Sequence, residues 1–182
     1  MVSANDFEWP DMYNFPPFFT LQRTEKTQER QLEQWSELIK AYYKHTIAYE
    51  LTITEAAGSE LFRNAEINRR ASDELIQKII STLEKSGNAE CIDQDRNRFR
   101  IYWRSIAAWA NTIYSWIEKT SRTDMVLTFY ELREGDESEG EEFHGMDLVT
   151  FQKALEDLEK VGKCTIFQGD ETDGDGVKFY SV

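Results

Sequence analysis

The chain has little of what most biochemical functions require. Its two cysteines, Cys91 and Cys164, form no C-x-x-C pair, so neither a disulfide framework nor a thiolate metal knuckle is available and both are expected to pack as small buried hydrophobes. Its two histidines, His45 and His144, stand in no ligand spacing such as H-E-x-x-H. No glycine-rich phosphate loop and no G-x-S-x-G elbow occurs. Acid-flanked His144 has the surroundings of a base, but a polar loop explains it as well. "DETDGDG" (170–176) fails the spacing of a calcium loop and reads better as a turn, where Asp-Gly supplies positive φ. The chain is therefore expected to lack enzymatic activity, cofactor and metal. No apolar run approaches the roughly 18 residues of a membrane helix. No basic stretch precedes an apolar one as in a secretory signal, so the expected location is the cytoplasm.

Positive charge is also scarce. Lys and Arg number 21 against 34 Asp and Glu, a net charge of −13. The deficit is uneven: residues 104–182 hold 8 basic and 17 acidic residues, net −9. That disfavours nucleic acid and anionic lipid as partners of this part, because each phosphate contact needs a local cation.

What is present is more specific. The sequence repeats itself at an offset of 75 residues: "IQKIISTLEKSGNAECI" (76–92) aligns with "FQKALEDLEKVGKCTIF" (151–167). Upstream, "QWSELIKAYYKHT" (34–46) matches "AWANTIYSWIEKT" (108–120), which pairs Trp35 with Trp109 and Tyr42 with Trp116. Leu51-Thr52 recurs as Leu127-Thr128. Order and spacing are kept, so the chain is a duplicated module.

In the first copy, Leu32, Trp35, Leu38, Ile39 and Tyr42 share one helical face. A strand-like run follows (47–53), then a helix over about 54–62. A third helix opens on Ser72 as N-cap and closes at Gly87. "NAECI" and "RFRIYW" then form a hairpin around a polar turn. The second copy ends the same way. Helix, strand, helix, helix, hairpin is the order of a winged helix. The reading is α+β: two tandem winged-helix domains, 21–103 and 104–182, joined by almost no linker and preceded by an extended segment, 1–20. A DNA-binding regulator is the alternative that this fold raises. The third helices argue against it, carrying three and four acids against two lysines each. The remaining basic cluster (Arg63, Arg69, Arg70, with Arg96, Arg98 and Arg100) reads as solvated surface.

All three prolines fall within residues 10–17, inside "FEWPDMYNFPPFF" (7–19), which also holds six aromatic residues. The stretch contains two proline-aromatic units, Pro10…Tyr13 and Pro16-Pro17-Phe18-Phe19. Proline fixes φ near −65°, so such a segment loses little entropy on docking, and its aromatics can anchor it in a partner's groove. The candidate partner-binding residues are Trp9, Pro10, Tyr13, Phe15, Pro16, Pro17, Phe18 and Phe19. The competing reading folds the segment back on its own first domain.

"FEWPDMYNFPPFFTLQ", "LFRNAEINRR", "TFYELREGDESEGEEFHGMD" and the closing "GDGVKFY" together resemble the small-subunit family of ESCRT-II, a vacuolar-protein-sorting family, over essentially the whole chain. The resemblance implies a non-enzymatic adaptor, cytoplasmic and recruited peripherally to endosomal membranes through its partners. It implies two copies per complex, each held through the proline-aromatic units by one of two larger winged-helix subunits. It further implies that the second winged helix recruits and activates the first ESCRT-III subunit as ubiquitinated cargo is sorted into multivesicular bodies. The acids of the last domain, Asp147, Glu156, Asp157 and Glu159, are the candidate ESCRT-III face.

Overall fold

A computed structural model of the chain describes residues 6–169 and 175–181. The chain divides into two compact units, residues 1–104 and 105–182, each a winged helix built in the same order.

The first unit opens with two 3₁₀ turns, Asp11–Asn14 and Pro16–Phe19. Helix α1 (Glu25–Thr46) follows; it buries Trp35, Leu38, Ile39 and Tyr43 at helical spacing. The expected strand from residue 47 does not begin there: Ile47 takes a left-handed φ of 50° and ends the helix. Strand β1 is Glu50–Thr52, and α2 spans only Ile53–Ala56. The hairpin of β2 (Arg63–Asn64) and β3 (Arg69–Arg70) then precedes α3 (Asp73–Lys85). Ser72 caps α3, its hydroxyl accepting from the Leu75 amide at 3.2 Å. Gly87, at φ 74°, lets the chain leave the helix. Strands β4 (Ala89–Cys91) and β5 (Arg98–Ile101) complete an antiparallel sheet of order β1-β5-β4.

The second unit repeats this with α4 (Ile106–Lys119), β6 (Val126–Thr128), α5 (Phe129–Glu134), α6 (Leu148–Lys160), β7 (Cys164–Phe167) and β8 (Gly176–Phe179). Its sheet order is β6-β8-β7. The 75-residue offset reappears as geometry. Asp147 caps α6 where Ser72 caps α3, and Gly162 has φ 73° where Gly87 has 74°. Trp35 and Trp109 are both buried in the cores of their units. The turn read in "DETDGDG" lies mostly outside the described residues. Among the described residues, no helix is long and apolar enough to cross a membrane.

The segment before α1 is the main departure from expectation. It does not extend away from a core that starts after Thr20. Tyr13, Phe18 and Phe19 are 5%, 5% and 2% exposed and belong to the core of the first unit. The physical reason is Trp35. Phe18 stacks on its indole at 4.3 Å and 7°, Phe19 packs edge-on against it at 5.5 Å, and Phe62 covers it from elsewhere in the unit at 5.4 Å. In the second unit Phe143, fully buried in the loop before α6, packs against Trp116, the counterpart of Tyr42, at 5.5 Å.

Candidate partner-binding site

The two proline-aromatic units are short turns because their prolines fix φ and each turn closes its own backbone bond. Tyr13 N–H donates to the Pro10 carbonyl at 2.8 Å and Thr20 N–H to Pro17 at 3.1 Å. Each turn has an inner and an outer side. On the inner side of the first, the Tyr13 ring stacks on Trp9 at 4.0 Å, and its hydroxyl donates to the backbone carbonyls of Glu60 and Arg63. Burial pushes the Tyr13 phenol up to about 12, with the charges of Glu60 and Glu66 adding to the effect. Trp9 in turn lies 5.6 Å from Tyr42, and Phe7 packs edge-on against both Trp9 and Tyr42. Burial also raises the Tyr42 phenol, helped by its 2.8 Å hydrogen bond to Glu60. The inner side of the second turn is Phe18 and Phe19 against Trp35.

The outer side faces solvent. Phe15 stands 60% exposed between the two turns. Pro17 is exposed, and Trp9, Pro10 and Pro16 are half-buried. Beside Phe15 runs an open groove of about 280 Å³, lined on one side by Met12, Pro17 and Phe18 and on the other by Thr27, Arg30 and Gln34 of α1. The eight candidate residues are thus brought together but divided. Tyr13, Phe18 and Phe19 face the protein's own core, while Phe15 and Pro17 face solvent, with Trp9, Pro10 and Pro16 at the boundary.

The acidic candidates of the second unit also divide. The Asp147 carboxylate is the α6 N-cap and accepts from the Thr150 amide at 2.9 Å and the Thr150 hydroxyl at 3.0 Å. Glu159 accepts from the Ile166 amide at 2.7 Å, joining α6 to β7. Both carboxylates hold the fold together. Glu156, which accepts from Gln152 at 3.0 Å, and Asp157 are half-exposed on α6. In the loop between α5 and α6, His144 Nδ1 and the buried Ser138 hydroxyl share a 2.8 Å hydrogen bond, and Ser138 also donates to the Gly135 carbonyl. His144 therefore fastens a loop.

The profile of a family described as "ESCRT-II complex subunit" matches residues 12–147, from the first proline-aromatic turn to the α6 cap. The chain belongs to this ESCRT-II family. Vacuolar protein-sorting-associated protein 25 of Xenopus laevis is 43% identical over 96% of this chain and 99% of its own length. The human protein of that name is 39% identical over 97% and 99%. Among solved structures, "subunit VPS25 of the endosomal trafficking complex ESCRT-II" is similar at TM-score 0.80 and 29% identity, covering 93% of this chain and 97% of that one. A chain of "endosomal complex ESCRT-II (VPS22/VPS25/VPS36)" gives 0.75 and 29%, covering 93% and 98%. ESCRT-II membership accounts for the tandem winged helices, and DNA binding finds no support in these similarities.

Two residues of this ESCRT-II chain matter to the site and escape a reading of the sequence. Gln31 on α1 and Asn64 on β2 are each only 4% exposed, and both bind the backbone of the N-terminal turns. Nothing in one sequence separates them from ordinary surface amides. The signal lies in three dimensions, as buried polar side chains that need partners.

Proposed function

We propose that this chain is a non-enzymatic adaptor subunit of an ESCRT-II complex, attached to the two larger subunits through the outer side of its N-terminal turns. The observation that carries the reading is Phe15, an aromatic ring 60% exposed beside an apolar groove, on a segment whose other aromatics are buried or half-buried. An exposed aromatic anchor on a pre-ordered backbone is what a partner's pocket selects, because little ordering entropy remains to be lost. Pro16 and Pro17 follow it directly and stiffen the backbone further. The solved endosomal complex ESCRT-II (VPS22/VPS25/VPS36) contains a chain similar to this one, and that similarity supports larger subunits of the same kind as partners here. In this reading each complex holds two copies of the chain, which works in the cytoplasm and reaches endosomal membranes through its partners.

The second winged helix is assigned the finer task of recruiting and activating the first ESCRT-III subunit for sorting ubiquitinated cargo into multivesicular bodies. Its net charge of −9 over residues 104–182 suits a basic partner helix, chiefly through encounter rate. Since Asp147 and Glu159 are committed to the fold, Glu156 and Asp157 are the acids free to carry this contact.

A photo-crosslinking amino acid at position 15, in the full chain co-expressed with the larger ESCRT-II subunits, tests attachment directly. The expected product joins this chain to a larger subunit. Crosslinks confined to the chain itself, in a complex that has still assembled, would show that the outer side is not the attachment site.

A further inference from the structure

Both N-terminal turns leave backbone carbonyls pointing inward, and a buried carbonyl without a donor is destabilising because its lost hydration is not replaced. Two buried side-chain amides supply donors, one for each turn, and in the second turn the Trp35 indole and the Gln22 side chain donate as well. Asn64 Nδ2 donates to the Tyr13 carbonyl at 2.9 Å and to Asn14 Oδ1 at 3.0 Å. Its Oδ1 accepts from the Glu66 and Ile67 amides, which locks it into the β2–β3 hairpin. Gln31 Nε2 donates to the Phe18 and Thr20 carbonyls, both at 2.8 Å, and its Oε1 accepts from the Gln22 amide at 3.1 Å. In each case the amide nitrogen faces acceptors and the oxygen faces donors. A carboxylate of the same shape would set an oxygen against those carbonyls.

We infer that Asn64 and Gln31 are positioning residues for partner attachment: Asn64 sets the pose of the first proline-aromatic turn, Gln31 that of the second, and each acts separately. The inference rests on the attachment role proposed for these turns. Phe15 lies between the two clamps, so its direction depends on both. The clamps sit on different elements, β2 and α1, with no hydrogen bond between them in the contacts described. The Tyr13 and Phe19 rings touch edge-on at 5.5 Å, but each clamp binds the backbone of its own turn, so the turns are expected to loosen one at a time. The Phe18 carbonyl also accepts from the Trp35 indole at 3.0 Å, and the Gln22 side chain donates to the Pro17 and Thr20 carbonyls at 3.0 and 2.8 Å, so the second turn keeps these ties when Gln31 is lost, while the first keeps the Tyr13 hydroxyl.

The test uses the full chain with Asn64→Asp and Gln31→Glu, beside Asn64→Ala and Gln31→Met, which delete the donors without adding charge. Hydrogen exchange reports each turn through its own amides, Tyr13 and Phe15 for the first, Phe18 and Thr20 for the second. Relative to wild type at pH 7, Asn64→Asp is expected to speed exchange at Tyr13 and Phe15 about tenfold or more while Phe18 and Thr20 stay within about twofold. Gln31→Glu gives the reverse. Each acid variant also co-purifies less with the larger subunits. Lowering the pH to about 5 protonates a buried carboxyl facing carbonyls and restores an O–H donor. The acid variants then return toward wild type, and the Ala and Met variants do not. Loosening of both turns together, of neither, or with no recovery at low pH overturns the assignment. Separate loosening with undiminished co-purification upholds the positioning of the turns and overturns their role in attachment.

Discussion

Tyr13 and Trp35 decide what the N-terminal segment is. Tyr13 holds the first turn with a hydroxyl bound to two backbone carbonyls, and its pKa is raised to about 12 by burial. The unfolded value is near 10. The folded state thus binds this proton more tightly, and its contribution to stability is complete below about pH 10. It is lost as pH climbs from about 10 toward 12. An ultraviolet titration is expected to show phenol ionisation delayed at Tyr13, with faster exchange at Tyr13 and Phe15 over the same interval. Tyr13→Phe removes both effects, and loosening at the same pH in that variant would mean that another group is responsible. Trp35, fully buried and stacked by Phe18, carries the second turn. Trp35→Ala is expected to cost the first unit about 3–5 kcal/mol and to free residues 16–19. Trp109→Ala costs the second unit a similar amount and leaves those residues docked. Denaturant melts with hydrogen exchange separate the two cases, and equal effects on residues 16–19 would contradict the packing described.

At the level of elements, the duplication was readable because helix faces and caps recur at fixed spacing. Ser72 and Asp147 cap equivalent helices, Gly87 and Gly162 close them, and Leu51 and Leu127 are the buried central residues of equivalent short strands. The β2–β3 hairpin was not readable, because "RNAEINRR" has no apolar alternation and its two-residue strands are set by Asn64 accepting from Glu66 and Ile67. The docking of residues 7–19 was visible only as an alternative, since proline and aromatic content suits a partner's groove and the chain's own core equally. Which of the two applies is decided by the surface that Trp35, Tyr42 and Phe62 leave open. Deleting residues 1–19 is therefore expected to unfold or strongly destabilise the first unit while the second still melts cooperatively. Calorimetry of the truncated chain checks this. An undisturbed first unit would mean that the segment only rests on the surface.

For the whole molecule, division of labour is the central idea. The first unit carries the proline-aromatic turns, and the second holds the acidic excess. If Glu156 and Asp157 meet a basic ESCRT-III segment, affinity of the full chain for that subunit falls as salt rises, mainly through the association rate. Reversing both charges weakens it further without affecting assembly with the larger subunits, and binding indifferent to salt and reversal would place the contact elsewhere. The claim on which the account stands is that the N-terminal segment has two faces with different tasks. Phe15→Ala and Phe18→Ala, compared for thermal stability and for assembly with the larger ESCRT-II subunits, test it most directly. The account predicts that Phe15→Ala melts like wild type yet loses assembly by about 2 kcal/mol or more, as a hot spot does. Phe18→Ala destabilises the first unit by about 3–5 kcal/mol. A Phe15→Ala chain that assembles as tightly as wild type, with its fold intact, would contradict the account.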